Sequence, residues 1–271
     1  MRTGHMSALS GALLIALCSC GAAWAQDTGD WTRVGSASLD GEKVVITPDE
    51  GEKIGAAWYA KPIDLSRDAD LRFRVYLGDK DEEGADGLTF ILAAEQGGTD
   101  SGQGLGYQGI EKSLAIEIDT YPNDGEHLGD DLADPAADHV TIDIDGSVDH
   151  HDSDRPLAEL DNIEDGQEHV LRIQWVAAER TLRVFIDDME TPRIEYGADI
   201  VAEFLDGKTA ARLGVAGSTG MAANRQYVIV QELTAGEAGA EEGAGGEAGG
   251  GEEDEGWIVC PNCGHRFKPD K

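Results

Sequence analysis

The chain has 271 residues, of which 54 are acidic and 21 are lysine or arginine, giving a formal net charge of −33. That length holds one large sandwich with tails or two small domains. So large an acidic excess excludes nucleic acid and anionic membrane surfaces as partners, because both are bound through basic patches; solubility, a cation requirement or a saline habitat remain as explanations for it.

Residues 1–25 place Arg2 ahead of an apolar run and close on Ala23-Trp24-Ala25, a small-x-small cleavage pattern. The segment reads as an export signal, and its apolar run is too short to span a membrane. The expected destination is the periplasm, the cell surface or the medium. A lipoprotein cysteine at Cys20 ranks second, because Cys18 stands where such sites prefer a small or β-branched residue. Cleavage after Ala25 removes both of these cysteines and leaves Cys260 and Cys263. The main domain is therefore expected to fold without disulfides even in an oxidising compartment.

Residues 27–235 form the main domain, and their pattern is short strands separated by Gly, Asp and Pro. Residues 71–77, 170–175 and 182–186 alternate apolar with polar, while residues 87–93 are almost continuously apolar, as in a strand covered on both faces. Helical periodicity is nearly absent, the best candidate being a turn or two at residues 200–205. Many short strands in one domain imply an all-β fold, two antiparallel sheets packed face to face.

The most informative stretch is residues 113–145. Alternate side chains of a strand share a face, so Leu114, Ile116 and Ile118 are expected in the core, with Glu117, Asp119 and Tyr121 together on the opposite face. Carboxylates two apart on one face repel unless a cation lies between them. Downstream, Asn123 offers an amide oxygen, Asp134 a carboxylate and His139 an imidazole, which together make a donor set for two metal ions. Two nearby patterns are set aside. Gly104-Leu105-Gly106-Tyr107-Gln108-Gly109 has dinucleotide-type glycine spacing but leads into a strand, without the helix N-terminus that would hold a pyrophosphate. Asp149-His150-His151-Asp152-Ser153-Asp154 has residue types that could bind a metal, but it lies in a Gly/Asp/Pro-rich connection and is expected to be a solvated loop.

Residues 236–256 contain only Gly, Ala, Glu and Asp and read as a disordered, charge-extended linker. Residues 257–271 carry Cys260-Pro261-Asn262-Cys263-Gly264-His265, half of a zinc ribbon. Cys260, Cys263 and His265 supply at most three ligands, so a closed zinc site needs a second chain or a water; a reducible cysteine pair is the alternative.

The run Glu117-Ile118-Asp119-Thr120-Tyr121-Pro122-Asn123, then Asp134-Pro135-x-x-x-His139 and a strand, resembles the metal-binding segment of the legume-type (L-type) lectins. Three further stretches are similar to that family in the same order: residues 55–62 with Trp58, residues 84–92 with Ala85-Asp86-Gly87, and residues 213–220. The resemblance implies a concanavalin A-like β-sandwich, or jelly roll, that binds glycans without catalysis and depends on calcium. It implies calcium held by Asp119, the Tyr121 carbonyl, Asn123 and Asp134, and manganese or another transition metal held by Glu117, Asp119, Asp134 and His139. The gap between Asn123 and Asp134 is longer than in the plant proteins, so Asp124, Asp130 or Asp131 remain open as replacements for Asp134. It further implies a sugar over the calcium: Asp86 behind a cis Ala85–Asp86 bond accepts from two hydroxyls, Gly106 and Asn123 donate, and Tyr121 stacks. The specificity loop is residues 218–224, with Gly220 and Met221 at the sugar, and a homo-oligomer is compatible with the resemblance. Two rival readings stand beside it. Laminarinase-type glycoside hydrolases carry Glu-x-Asp-x-x-Glu on one strand, but here the third carboxylate is missing beyond Glu117 and Asp119. A calcium-stabilised module for protein adhesion would not need all three of Asp86, Gly106 and Asn123.

Overall fold

A computed structural model of the chain describes residues 30–81, 83–97, 102–126, 131–151 and 154–235, together with residues 258–259 and 266–267. The export signal, the linker, Asp130, and Cys260, Cys263 and His265 lie outside the described residues. The chain divides into two compact units, Met1–Ala238 and Gly239–Lys271.

In the first unit the strands are β1 (Trp31–Gly35), β2 (Ser38–Asp40), β3 (Lys43–Thr47), β4 (Ile54–Tyr59), β5 (Ile63–Asp64), β6 (Ala69–Tyr76), β7 (Gly87–Ala93) and β8 (Ser113–Asp119). They continue with β9 (His139–Ile144), β10 (Leu157–Glu159), β11 (His169–Val176), β12 (Thr181–Ile186), β13 (Ile194–Gly197), β14 (Ala210–Ser218) and β15 (Gln226–Ala235). One sheet runs β1-β4-β14-β7-β8-β9-β10 with β5 beside β14, and the other runs β13-β12-β11-β6-β15-β3-β2. Both are antiparallel throughout. The fold is thus the expected all-β sandwich. Among the described residues the one α-helix, α1 (Ile200–Phe204), falls where the sequence places a short helical turn, and the Asp199 side chain accepts from the Ala202 N–H to cap it.

The alternation predicts which side chains meet. Leu71, Phe73 and Val75 of β6, Leu171, Ile173 and Trp175 of β11 and Leu182, Val184 and Ile186 of β12 face inward from one sheet. Leu88, Phe90 and Leu92 of β7, Leu114, Ile116 and Ile118 of β8, and Val140 and Ile142 of β9 meet them from the other. The Phe73 and Phe90 rings touch across the gap at 4.9 Å, tilted by 51°, a favourable aromatic arrangement.

The outer face of the β7-β8-β9 sheet is not left to solvent, which explains why every residue of β7 and β8 is buried. Loops fold across it. Tyr107, Ile110 and Val148 pack on Trp58, Ile91, Ala93 and Ala115, with Leu132 at the edge of the cluster. The Tyr107 hydroxyl sits 2.8 Å from that of Ser113 and accepts from the Gly146 N–H at 3.1 Å, while the Gly109 N–H donates to the Gly146 carbonyl. Residues 104–109 form turns that lead into β8, as expected for an empty glycine motif. Among the described residues no helix is long and apolar enough to cross a membrane.

In the second unit, β16 (Ile258–Val259) and β17 (Arg266–Phe267) pair antiparallel, Ile258 opposite Phe267 and Val259 opposite Arg266.

Candidate metal and ligand site

The register of β8 and β9 builds the site. Asp119 lies opposite His139, Glu117 opposite Thr141, and Ala115 opposite Asp143. Because side chains alternate, Glu117, Asp119, His139, Thr141 and Asp143 all project from the outer face, away from Leu114, Ile116 and Ile118. That face lies under the loops. Glu117 and Asp119 are each 1% exposed and Asp143 is 0% exposed, a setting in which ionised carboxylates need partners.

The connection from β8 to β9 returns over the same face. The Tyr121 N–H donates to Asp119 Oδ1 at 2.7 Å and the Asn123 N–H donates to Asp134 Oδ2 at 2.9 Å. Ala133 has φ of +62°, and this left-handed residue turns the buried Asp134 inward. Asp131 is exposed, accepts from the Ala133 N–H and faces His151; Asp124 caps its own turn through the Glu126 N–H. Of the three described aspartates considered for this position, only Asp134 is brought to Asn123 and Glu117.

The cluster adds Asp143, which is absent from the sequence candidates, and His150, from a segment whose metal-binding reading ranks below that of a solvated loop. Asp143 is legible in hindsight, lying on the outward period of β9 with His139 and Thr141. His150 comes from the connection expected to be a solvated loop, and that expectation fails for it: its side chain is 6% exposed, while Asp149 and His151 are exposed. Nδ1 of His150 lies 3.1 Å from Asp134 Oδ1, and Nε2 lies 3.6 Å from Asp143 Oδ1 and 3.9 Å from Glu117 Oε1. The loop is placed by tertiary contacts. The His150 N–H donates to the Leu132 carbonyl, and the Arg155 guanidinium donates to Asp143 Oδ1 and to the carbonyls of Ser147 and Asp149.

The electrostatics follow from burial and crowding. Burial, then the Asp143 charge, pushes the Glu117 carboxyl well above its ordinary range; burial, then Asp134, does the same to Asp119. Burial pulls His139 down to about 4, leaving a neutral imidazole. His150 feels the same burial, but Asp134 and Asp143 outweigh it and raise the ring to about 9. Several buried atoms lack a hydrogen-bond partner: Glu117 Oε2, Asn123 Oδ1, Asp134 Oδ1, Asp143 Oδ2 and His139 Nε2. Unpaired buried polar atoms are costly. A converging set of hard oxygens with one or more imidazoles fits divalent cations, so the residues present suit calcium and a transition metal.

Beside this cluster, the Ala85–Asp86 peptide is cis, as expected. The Thr120 N–H and hydroxyl donate to the Asp86 carbonyl, the Asp86 N–H donates to Ser218, and the Ala85 carbonyl accepts from the Asn224 N–H and Gln226 Nε2. The Asp86 carboxyl is buried, its Oδ2 has no partner, and burial raises it to about 7. Its charge also bears on Asp119, which ties it to the cluster. Gly220 comes close: a Cβ there would stand 3.8 Å from Asp86 Oδ1. Gly106 has φ of +67°, and a Cβ on it would lie 3.0 Å from the Ala216 Cβ, so the tight approach requires glycine. Tyr121 is half-buried and Met221 is 83% exposed at the rim.

Behind residues 218–224 lies a further buried group that is absent from the sequence candidates. Glu164 is buried, and the Asn224 Nδ2 donates both to it and to the Lys80 carbonyl. Burial, then the Asp138 charge, raises Glu164 to about 9. Gly84 must be a glycine here, since a Cβ would fall 2.0 Å from Asn224 Nδ2.

Comparison with known proteins agrees with this architecture. The sandwich superposes on lectin I-B4 from Griffonia simplicifolia in its metal-free form, with TM-score 0.63 and 18% identity over 79% of this chain and 96% of that one. Lectin II from Ulex europaeus gives TM-score 0.61 and 21% identity over 75% and 92% of the two chains. The exoplasmic/lumenal domain of VIP36, solved with Ca2+ and Man3GlcNAc, gives TM-score 0.60 and 18% identity over 79% and 86%. The family description of the legume lectin β-barrel domain matches residues 25–232. With most of its length matched in this way, the chain belongs to the legume lectin β-barrel domain family.

Proposed function

We propose that this protein is an exported, calcium-dependent carbohydrate-binding protein that performs no catalysis. The observation that carries this reading is the convergence of unpartnered buried Glu117, Asn123, Asp134 and His139 atoms next to the unpartnered Oδ2 of Asp86. Asp119, the Tyr121 carbonyl, Asn123 and Asp134 would hold calcium. Glu117, Asp119, Asp134 and His139 would hold manganese or another transition metal. The ions supply the positive charge that lets these carboxylates stay ionised under the loops. Asp86, Gly106, Asn123 and Tyr121 would contact the sugar, with Gly220 and Met221 shaping the rim. The related VIP36 domain has been solved with Man3GlcNAc, and lectins from Bauhinia forficata and Ulex europaeus with GalNAc and galactose, which supports glycans as the ligand class.

Burial weighs against the hydrolase reading. A retaining hydrolase presents two carboxyls to the scissile bond, whereas Glu117 and Asp119 are 1% exposed beneath the loops. Export by residues 1–25, with a periplasmic, surface or extracellular destination, belongs to the same proposal, as do the flexible linker of residues 236–256 and a zinc-binding tail at Cys260, Cys263 and His265.

Calorimetry with calcium on the chain from residue 26, followed by a glycan array with and without chelator, tests the proposal. Calcium binding together with glycan signals that the chelator abolishes is the expected result. Calcium binding with no glycan signal would move the function to protein adhesion, and absence of calcium binding would overturn the metal assignment.

A further inference from the structure

The metal assignment proposed above uses one imidazole, that of His139, and the inference here rests on it. The structure brings a second imidazole to the same carboxylate. His139 Nε2 lies 3.8 Å and His150 Nε2 3.9 Å from the same oxygen, Glu117 Oε1, and one ligand atom from each of the three residues falls within 4.8 Å of the others. The two rings meet edge-on, centroids 5.6 Å apart and planes at 85°. The His150 side chain is 6% exposed, and neither of its ring nitrogens makes a well-formed hydrogen bond.

We propose that His150 is a protein ligand of the transition-metal position, so that Glu117, His139 and His150 form a two-imidazole, one-carboxylate site that favours zinc-class ions over manganese. A first-row ion bonds imidazole nitrogen and carboxylate oxygen at about 2.0–2.2 Å, so two ligands sharing it stand up to about 4 Å apart. Both separations from Glu117 Oε1 fall inside that span. Nδ1 of His150 lies on the Asp134 side, 3.1 Å from Oδ1, so that Nε2 is the ring nitrogen on the Glu117 side. The alternative role, an imidazolium serving only as counter-charge, would bring Nε2 to about 2.7–2.9 Å from a carboxylate oxygen. The nearest ion-pair distances from Nε2 are instead 3.6 Å to Asp143 and 3.9 Å to Glu117. Asp143 is already engaged by Arg155, which also grips the Ser147 and Asp149 carbonyls and so holds the loop that presents His150. Soft imidazole donors suit zinc, cobalt, nickel and copper, whereas manganese prefers oxygen; a second imidazole moves the preference the same way.

The test uses the chain from residue 26 with Cys260→Ser and Cys263→Ser, so that the tail contributes no thiolates. It is stripped by chelation, saturated with calcium, and loaded with one equivalent of copper(II) for pulsed EPR or titrated calorimetrically with zinc(II). Two coordinated imidazoles are expected, falling to one in either His139→Gln or His150→Gln, with zinc affinity in His150→Gln lowered at least about tenfold. A single imidazole in the unsubstituted protein overturns the proposal without recourse to a variant. So does unchanged zinc affinity in His150→Gln, or failure to bind any transition ion. Calcium-dependent glycan binding with a single imidazole would overturn this inference and leave the lectin reading standing; two imidazoles without glycan binding would do the reverse.

Discussion

Replacing Asp119 with Asn should stabilise the protein in chelator and abolish the stabilisation that calcium gives. Four carboxylates, Glu117, Asp119, Asp134 and Asp143, are at most 7% exposed, against the cations of His150 and Arg155. Two like charges about 4 Å apart repel by about 4 kcal/mol at an effective dielectric near 20, so removing one charge from the chelated protein should stabilise it by roughly 1–3 kcal/mol. Asn keeps the oxygen that accepts the Tyr121 N–H, so no hydrogen bond is lost. Calcium at about 100 times its dissociation constant stabilises the unsubstituted protein by about 2.7 kcal/mol, and the variant by nothing. For a domain of this size each kcal/mol moves Tm by about 2–4 °C, so calcium should raise the melting temperature of the unsubstituted protein by about 5–11 °C. Differential scanning calorimetry with calcium and with chelator reads both arms. The pH dependence has a definite sign. Glu117 and Asp119 have folded pKa values raised by burial and like charges, so the chelated native state binds more protons than the unfolded chain and loses stability as pH rises above the ordinary carboxylate range towards the raised folded values. Calcium holds the carboxylates ionised, reverses that trend, and places the loss on the acid side. If Asp119→Asn lowers Tm as much in chelator as in calcium, the account of the cluster as uncompensated charge is wrong.

At the ligand site, Asp86→Ala should cost at least about 100-fold in glycan affinity, since two hydrogen bonds to a charged acceptor are lost at about 1.5–3 kcal/mol each, with Tm and calcium binding unchanged. Because burial raises the Asp86 carboxyl to about 7, its ionised form is lost as pH falls, so glycan affinity measured by calorimetry should decline on acidification, with a midpoint at or below that value, and the midpoint should vanish in Asp86→Asn. Beside Asn224, Glu164 is raised from 4.5 to about 9, so its contribution is fully present below the lower value and disappears as pH rises through the upper one. Glu164→Gln keeps an acceptor for Asn224 and cannot ionise; its Tm should equal or exceed that of the parent at about pH 8 and change less with pH, and a lower Tm there would mean that the carboxyl is ionised in the fold.

Periodicity alone carried the architecture. Strands such as β6 and β11, with Leu71-x-Phe73-x-Val75 and Leu171-x-Ile173-x-Trp175, bury one face each whatever their partners, so two such sheets must pack face to face. The same arithmetic put Glu117 and Asp119 on one side of β8, and the spacing that resembles the legume-type lectins supplied Asn123, Asp134 and His139. What alternation left open was that this outer face is itself roofed. Tyr107, Ile110 and Val148 cover it only because distant loops fold back over the sheet.

That roof decides the remaining members of the site. The choice of Asp134 over Asp131 turns on a left-handed backbone at Ala133 and on the hydrogen bond from Asn123, neither of which shows in a run of aspartates. His150 sits in a segment whose composition is that of a solvated turn; it is buried because Arg155 and the Leu132 carbonyl draw its loop inward. Glu164 lies in another polar connection and is enclosed by Asn224 and the backbone at Gly84, far apart from it in the chain. Local sequence determined the strands, their faces and the carboxylates those faces carry, because alternation is a property of neighbouring residues. Only the tertiary structure decided which loop side chains join them, because burial of a polar loop residue depends on hydrogen bonds to segments that the local sequence does not contain.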